Sequence, residues 1–254
     1  SKTGRAVVGK NLAGVDGSLG RLYEVEIPDQ VTSNFERAPA VPDDAPEFIR
    51  EVTGMMMDLK GDDIPVSKIP ADGTYPTGTA AWEKRNIADE VPIWREDLCI
   101  QCGQCSFVCP HSVIRSKYFD KTGLEGAPNG VKSAPINARG YPDAQFSLAF
   151  YVEDCTGCGL CVEACPAQSA VEPGVKAINM TLKDEAIVAD GRKAMSFFET
   201  LPVNDRARVD FANVRGVQFL QPLFEFNGAC AGCGETPYVK LLSQLFGNRL
   251  MVAN

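Results

Sequence analysis

The chain has 254 residues, 44% of them hydrophobic, and carries 25 Lys and Arg against 33 Asp and Glu, a net charge of −8. That balance argues against a nucleic-acid partner, which needs a basic face, and no apolar run of about 18 residues, the length a membrane-spanning helix needs, is present. Ser1-Lys2-Thr3-Gly4-Arg5 leads into only a few apolar residues before Lys10, so no signal peptide is expected. With ten cysteines and no export signal, a reducing cytoplasm is the expected location.

In chain order, residues 1–27 read as a helix, with Leu12, Val15, Leu19 and Leu22 at spacings of three and four, running into a strand over Tyr23–Ile27. An amphipathic piece of this kind needs a surface to lie on. The far end, Met251-Val252-Ala253-Asn254, stops within an apolar run, and both ends are expected to belong to a longer polypeptide. Residues 28–92 hold eight of the 17 prolines, which leaves room only for a short helix around residues 46–60 in an otherwise extended connector. Trp82 and Trp94 read as packing anchors, and Met55-Met56-Met57 as core filler.

The next segment carries two copies of one pattern, Cys99-x2-Cys102-x2-Cys105-x3-Cys109-Pro110 and Cys155-x2-Cys158-x2-Cys161-x3-Cys165-Pro166. This is the ligand run of bacterial-type ferredoxins, in which each copy gives three thiolates to one [4Fe–4S] cluster and its fourth thiolate to the other. One cluster is thus expected on Cys99, Cys102, Cys105 and Cys165, the other on Cys155, Cys158, Cys161 and Cys109. Zinc sites prefer paired C-x2-C units separated by longer spans, and disulfide frameworks belong to small secreted domains. Gly103, Gly157 and Gly159 sit inside the ligand loops, where backbone amides can face sulfur. The fourth cysteine of each copy is expected to open a short helix at Pro110 or Pro166, where a missing N–H does no harm. His111, with eight thiolates already sufficient, reads as a surface or helix residue.

Between Cys109 and Cys155 lie 45 residues, more than a compact two-cluster ferredoxin needs. The stretches Gly123–Pro128 and Gly140-Tyr141-Pro142 mark an inserted hairpin or surface loop, and Ser147–Val152 a strand entering the second motif. A helix is expected after residue 183, followed by a charged stretch, Arg206–Arg215, that reads as solvated. Last comes Gly228-Ala229-Cys230-Ala231-Gly232-Cys233-Gly234-Glu235. A lone C-x2-C is a weak signal, and only two thiolates are present.

Several longer strings resemble the pyruvate:ferredoxin (flavodoxin) oxidoreductases. They are Asp72-Gly73-Thr74-Tyr75-Pro76-Thr77-Gly78-Thr79, Trp82-Glu83-Lys84-Arg85-Asn86-Ile87-Ala88, Ile100-Gln101-Cys102-Gly103, Glu153–Cys161 and Gly228–Tyr238. The resemblance implies oxidative decarboxylation of pyruvate with coenzyme A on thiamine diphosphate, which needs Mg, and electrons passing through three [4Fe–4S] clusters to ferredoxin or flavodoxin. It implies that Cys230 and Cys233 are two ligands of a thiamine-proximal cluster whose other ligands lie outside this chain. It further implies that Glu235 contacts thiamine diphosphate, that Asn11 contacts coenzyme A, and that the whole enzyme is a homodimer. The expected fold is α+β: residues 1–36 end a coenzyme A-binding type of domain, and residues 37–76 form an extended connector. Residues 77–200 form a two-cluster ferredoxin domain with an insertion, and residues 201–254 open an α/β thiamine-binding domain. No residue is expected to be catalytic, and the segment alone is not expected to turn over pyruvate. A free-standing polyferredoxin-type carrier and the electron-transfer domain of another iron–sulfur oxidoreductase are the rival readings.

Overall fold

The computed structural model describes residues 4–35, 39–138, 141, 143–224 and 228–253; Gly140, Pro142 and Asn254 lie outside them. The chain divides into two units, Ser1–Pro39 and Ala40–Asn254. The first contains helix α1 (Gly4–Ser18), continued by a 3-10 turn over Leu19–Arg21. The expected strand does not form. Tyr23–Ile27 takes no regular structure and pairs with no strand among the described residues, and a lone strand leaves its ladder hydrogen bonds unmade.

The second unit begins with the proline-rich segment. Its short helix spans Ile49–Thr53 and α2 (Gly54–Met57), and it buries Val41, Ala45 and Ile49 against Phe48 and Trp82. The methionines are not core filler. Met56 and Met57 are exposed and Met55 only half-buried, because the buried stripe of this helix runs through Ile49, Val52 and Thr53 and points the methionines outward.

The cysteine-bearing unit is framed by two antiparallel sheets. β1 (Glu90–Trp94) pairs with β5 (Ile178–Leu182), Trp94 opposite Ile178. The insertion between the motifs is a β-hairpin, as expected, with a third short strand: β2 (Ile114–Asp120), β3 (Ala134–Pro135) and β4 (Ala144–Phe150) in the order β2-β4-β3. Edge-to-face contacts tie Trp94 to Phe146 and Phe146 to Phe219 at centroid distances of 5.8 and 6.0 Å, in the geometry aromatic quadrupoles favour. Trp94 is thus an anchor, and so is Trp82.

The short helices of the motifs lie one step earlier than expected. α3 (Gln104–Val108) and α4 (Leu160–Glu163) carry the third cysteine of each run and end before the fourth. Cys109 is extended, at φ −66° and ψ 113°, because a proline ring pushes the residue before it out of the helical region. Cys165, ahead of Pro166, also lies outside any helix. Three further helices follow: α5 (Glu185–Thr200), capped by Asp184; α6 (Val214–Val217), capped by Asn213; and α7 (Thr236–Phe246), with Pro237 in its first turn.

Candidate iron–sulfur centres

The fold gathers the eight motif cysteines into two crossed groups. Cys99 interacts electrostatically with Cys102 and with Cys165, which is 66 residues away, and Cys105 with Cys99 and Cys102. On the other side Cys155 and Cys161 both interact with Cys109 and Cys158. Cys105 also senses Cys161, so the groups are neighbours. Cys109, Cys155, Cys158 and Cys161 line one small cavity, walled by Pro92, Ile114 and Met180. Among the described residues no three Cys, His, Asp or Glu side chains converge on a single ion. Four thiols around a common apolar space suit a multi-atom cluster.

Local backbone geometry serves the same end. The amides of Gln101, Val113 and Gly157 point at the sulfurs of Cys99, Cys109 and Cys155 at 3.3, 3.3 and 3.4 Å. Gly157 does so at φ +69°, and a Cβ there would lie 3.3 Å from the Glu90 carbonyl oxygen. Gly103 and Gly159 do not donate to a cysteine; they are left-handed residues that start α3 and α4. Desolvation pushes the Cys99 thiol up, and the Trp94 indole partly offsets this. Burial also raises Cys105, brings Cys155 to about 11 and Cys161 to about 12, with neighbouring thiols adding to the rise. The protons of Cys155 and Cys161 are hard to lose in such a space unless a cationic group binds the thiolates, which is what iron supplies.

Around the first group, Gln101 sits at φ +57° and bridges the insertion, donating to the Pro135 carbonyl and accepting from Asn137 N–H, each at 2.8 Å. Arg215 donates to the Asn137 carbonyl at 2.8 Å and to Gln101 Oε1 at 3.3 Å. Burial lowers its pKa, while Cys102 and Cys99 oppose the shift. The charged stretch read as solvated therefore contributes one arginine to the wall of this group. His111, expected at the surface or in a helix, is buried in the wall of the cavity that the second group lines. Pro110, itself fully buried, carries the chain inward there.

The remaining candidates stand apart. Cys230 is exposed and Cys233 half-buried. The amides of Thr236 and Glu235 at the start of α7 hold the Cys233 thiol below its usual value, as a helix N-terminus does for a thiolate. The loop is close to the second group: a Cβ on Gly232 would lie 4.0 Å from Cβ of Cys158. Glu235 is exposed ahead of α7, and Asn11 lies exposed on α1.

Sequence reading missed Lys240, Ser106 and Gln218, which form a buried polar cluster behind α3. The faint signal was the polar spacing Thr236, Lys240, Ser243 and Gln244 on one side of α7.

Two family models match: residues 34–88 fit EKR, a domain of unknown function, and residues 98–169 fit a 4Fe-4S dicluster domain. The second span contains all eight motif cysteines. The chain is 46% identical over 260 residues to the pyruvate-flavodoxin oxidoreductase of Nostoc sp., covering 100% of this chain and 22% of the relative. It is 43% identical over 256 residues to that of Rhodospirillum rubrum, covering 100% of the chain and 21% of the relative. It is 42% identical over 255 residues to the pyruvate:ferredoxin oxidoreductase of Moorella thermoacetica, with the same two coverages. The chain spans about a fifth of the length of these relatives. It is homologous, end to end, to one segment of the pyruvate-flavodoxin oxidoreductases, and a 4Fe-4S dicluster ferredoxin-like domain forms its centre.

Proposed function

We propose that this segment conducts single electrons within a pyruvate:ferredoxin or pyruvate:flavodoxin oxidoreductase. Cys99, Cys102, Cys105 and Cys165 hold one [4Fe–4S] cluster, and Cys109, Cys155, Cys158 and Cys161 the other. What supports this is the crossing of the fourth cysteines: Cys165 interacts electrostatically with Cys99, and Cys109 lines one cavity with Cys155, Cys158 and Cys161. Such clusters supply one-electron redox chemistry at potentials set by hydrogen bonds to sulfur, charge and solvent exposure. The chain's own part is to orient the thiols with the 101, 113 and 157 amides and to exclude water with the apolar walls.

On this reading Cys230 and Cys233 give two ligands to a third, thiamine-proximal cluster completed from elsewhere in the enzyme. The closeness of Gly232 to Cys158 makes the second group the nearer receiver. Residues 201–254 open the thiamine-binding domain, with Glu235 at thiamine diphosphate, whose Mg-dependent carbon chemistry cleaves pyruvate. Residues 1–36 end a coenzyme A-binding domain, with Asn11 at its ligand; residues 37–76 connect, and residues 77–200 are the ferredoxin domain. The acceptor is ferredoxin or flavodoxin, and the working enzyme is a cytoplasmic homodimer.

The test is anaerobic purification with counts of iron and acid-labile sulfide and an EPR spectrum of the reduced protein. About eight irons with a spin-coupled signal are expected for two adjacent [4Fe–4S] clusters. Cys165→Ser is expected to disturb the signal of the group held by Cys99, Cys102 and Cys105. Damage confined to the Cys155 group would overturn the crossed assignment, and zinc without labile sulfide would overturn the electron-transfer reading.

A further inference from the structure

Lys240 is the only lysine or arginine buried among the described residues, at 1% exposure, on the second turn of α7. An ammonium taken out of water costs several kcal/mol unless an opposite charge and hydrogen bonds compensate it. The hydrogen bonds come from α3: its Nζ donates to the Ser106 carbonyl and lies 3.4 Å from the Ser106 hydroxyl. Ser106 is fixed in turn, 2.8 Å from the Ile114 carbonyl and 3.1 Å from Gln218 Oε1. Gln244, also on α7, is 3.4 Å from Gln218 and donates to the Val217 and Leu220 carbonyls.

The opposite charge is not a carboxylate. Among the described residues no Asp or Glu forms an ion pair with Lys240. Burial pulls its pKa down to about 8, a shift that Cys109 and Cys105 oppose and the Arg115 guanidinium reinforces. Those two cysteines belong to different groups, one to each cluster of the proposed wire. A cation so placed favours the state in which each group has gained an electron, because the added negative charge interacts with it at low dielectric.

We propose that Lys240 sets the reduction potentials of both clusters: its ammonium, pinned to Ser106 next to Cys105 of one group and within electrostatic reach of Cys109 of the other, raises the two together. This rests on the cluster assignment above. It also ties the helix that follows the Cys230–Cys233 loop to the ferredoxin unit through a charge rather than through apolar packing alone.

EPR-monitored redox titration of the anaerobically purified protein, with iron counted on every sample, tests the proposal. Lys240→Met is expected to keep about eight irons and to move both midpoints to more negative potentials. At the wild-type midpoint the ratio of reduced to oxidised cluster should fall on the order of tenfold, the effect of one charge roughly 10 Å away at an effective dielectric of about 20. Lys240→Gln, which keeps a donor for the Ser106 carbonyl and loses the charge, should shift the same way. Lys240→Arg should stay near wild type. Loaded neutral variants with unchanged midpoints would overturn the role while leaving the clusters in place. So would an arginine variant shifted as far as the neutral ones, or loss of iron from both neutral variants with a fully loaded wild type. A wild-type protein without iron and sulfide would overturn the cluster assignment as well.

Discussion

Gly103 takes φ +78°, and a Cβ built on it would lie 3.1 Å from the Arg215 Cα and 3.3 Å from Gln218 Cγ. A non-glycine residue held there costs about 1–3 kcal/mol in backbone strain alone, and backbone on the far side cannot step away as a side-chain end would. Gly103→Ala is therefore expected to lower stability by roughly 2–4 kcal/mol in urea unfolding of the iron-loaded protein. It should also disturb the EPR signal of the Cys99 group more than that of the Cys155 group, since Arg215 borders only the first. A second residue acts by charge. Lys117 donates to the carbonyls of Phe198 and Leu201 at 2.9 and 2.6 Å, closing the end of α5. Charge-assisted bonds of this kind contribute about 1.5–3 kcal/mol each, so Lys117→Met should cost about 2–4 kcal/mol while leaving iron content unchanged. The cysteines that make up the site were legible because their spacing is local and chemically specific. His111 and Lys240 were not, since burial against a segment distant along the chain leaves no mark on the residues beside them.

At the scale of elements, the segment from Trp82 to Glu90 works as a strap over the loop of the second motif. Lys84 Nζ lies 2.6 Å from Asp154 Oδ2, whose side chain is 4% exposed, directly ahead of Cys155. Asn86 N–H donates to the Glu153 carbonyl at 2.8 Å, and Arg192 of α5 holds the Glu153 carboxylate with two contacts of 2.8 and 2.6 Å. Much of this strap falls at the end of residues 34–88, the span that fits the EKR model, so in this chain that segment helps hold the loop leading into Cys155. Removing one partner of a buried ion pair costs about 3–5 kcal/mol; for the half-buried Lys84, Lys84→Met should cost roughly 2–3 kcal/mol. Iron loss should be confined to the Cys155 group, leaving about four irons and the EPR signal of the other group. Equal loss from both groups would contradict the strap. Helix positions were only half legible at this scale. The hairpin and α5 followed from turn residues and apolar spacing, whereas the proline expected to start a helix at Cys109 ends one instead. α7 inverts the usual pattern, burying Thr236, Lys240, Ser243 and Gln244 while Tyr238, Leu242 and Phe246 stay exposed. A periodicity argument assigns such a polar face to solvent, and only the buried partners Ser106 and Gln218 reverse that.

For the molecule as a whole, the cores that hold the motif cysteines draw, among the described residues, on residues 88–219. The largest joins Trp94, Ile114, Phe146, Ile178 and Phe219 to Cys105, Cys161 and Cys165, and a neighbouring one joins Ala88, Val91 and Val152 to Cys155. Every described residue from 4 to 35 is exposed, including Leu12, Val15, Leu19 and Leu22 of the helical run. Apolar side chains that remain in water contribute no burial free energy, whatever their spacing. The amphipathic pattern of that run was therefore legible as a helix and silent on what it packs against.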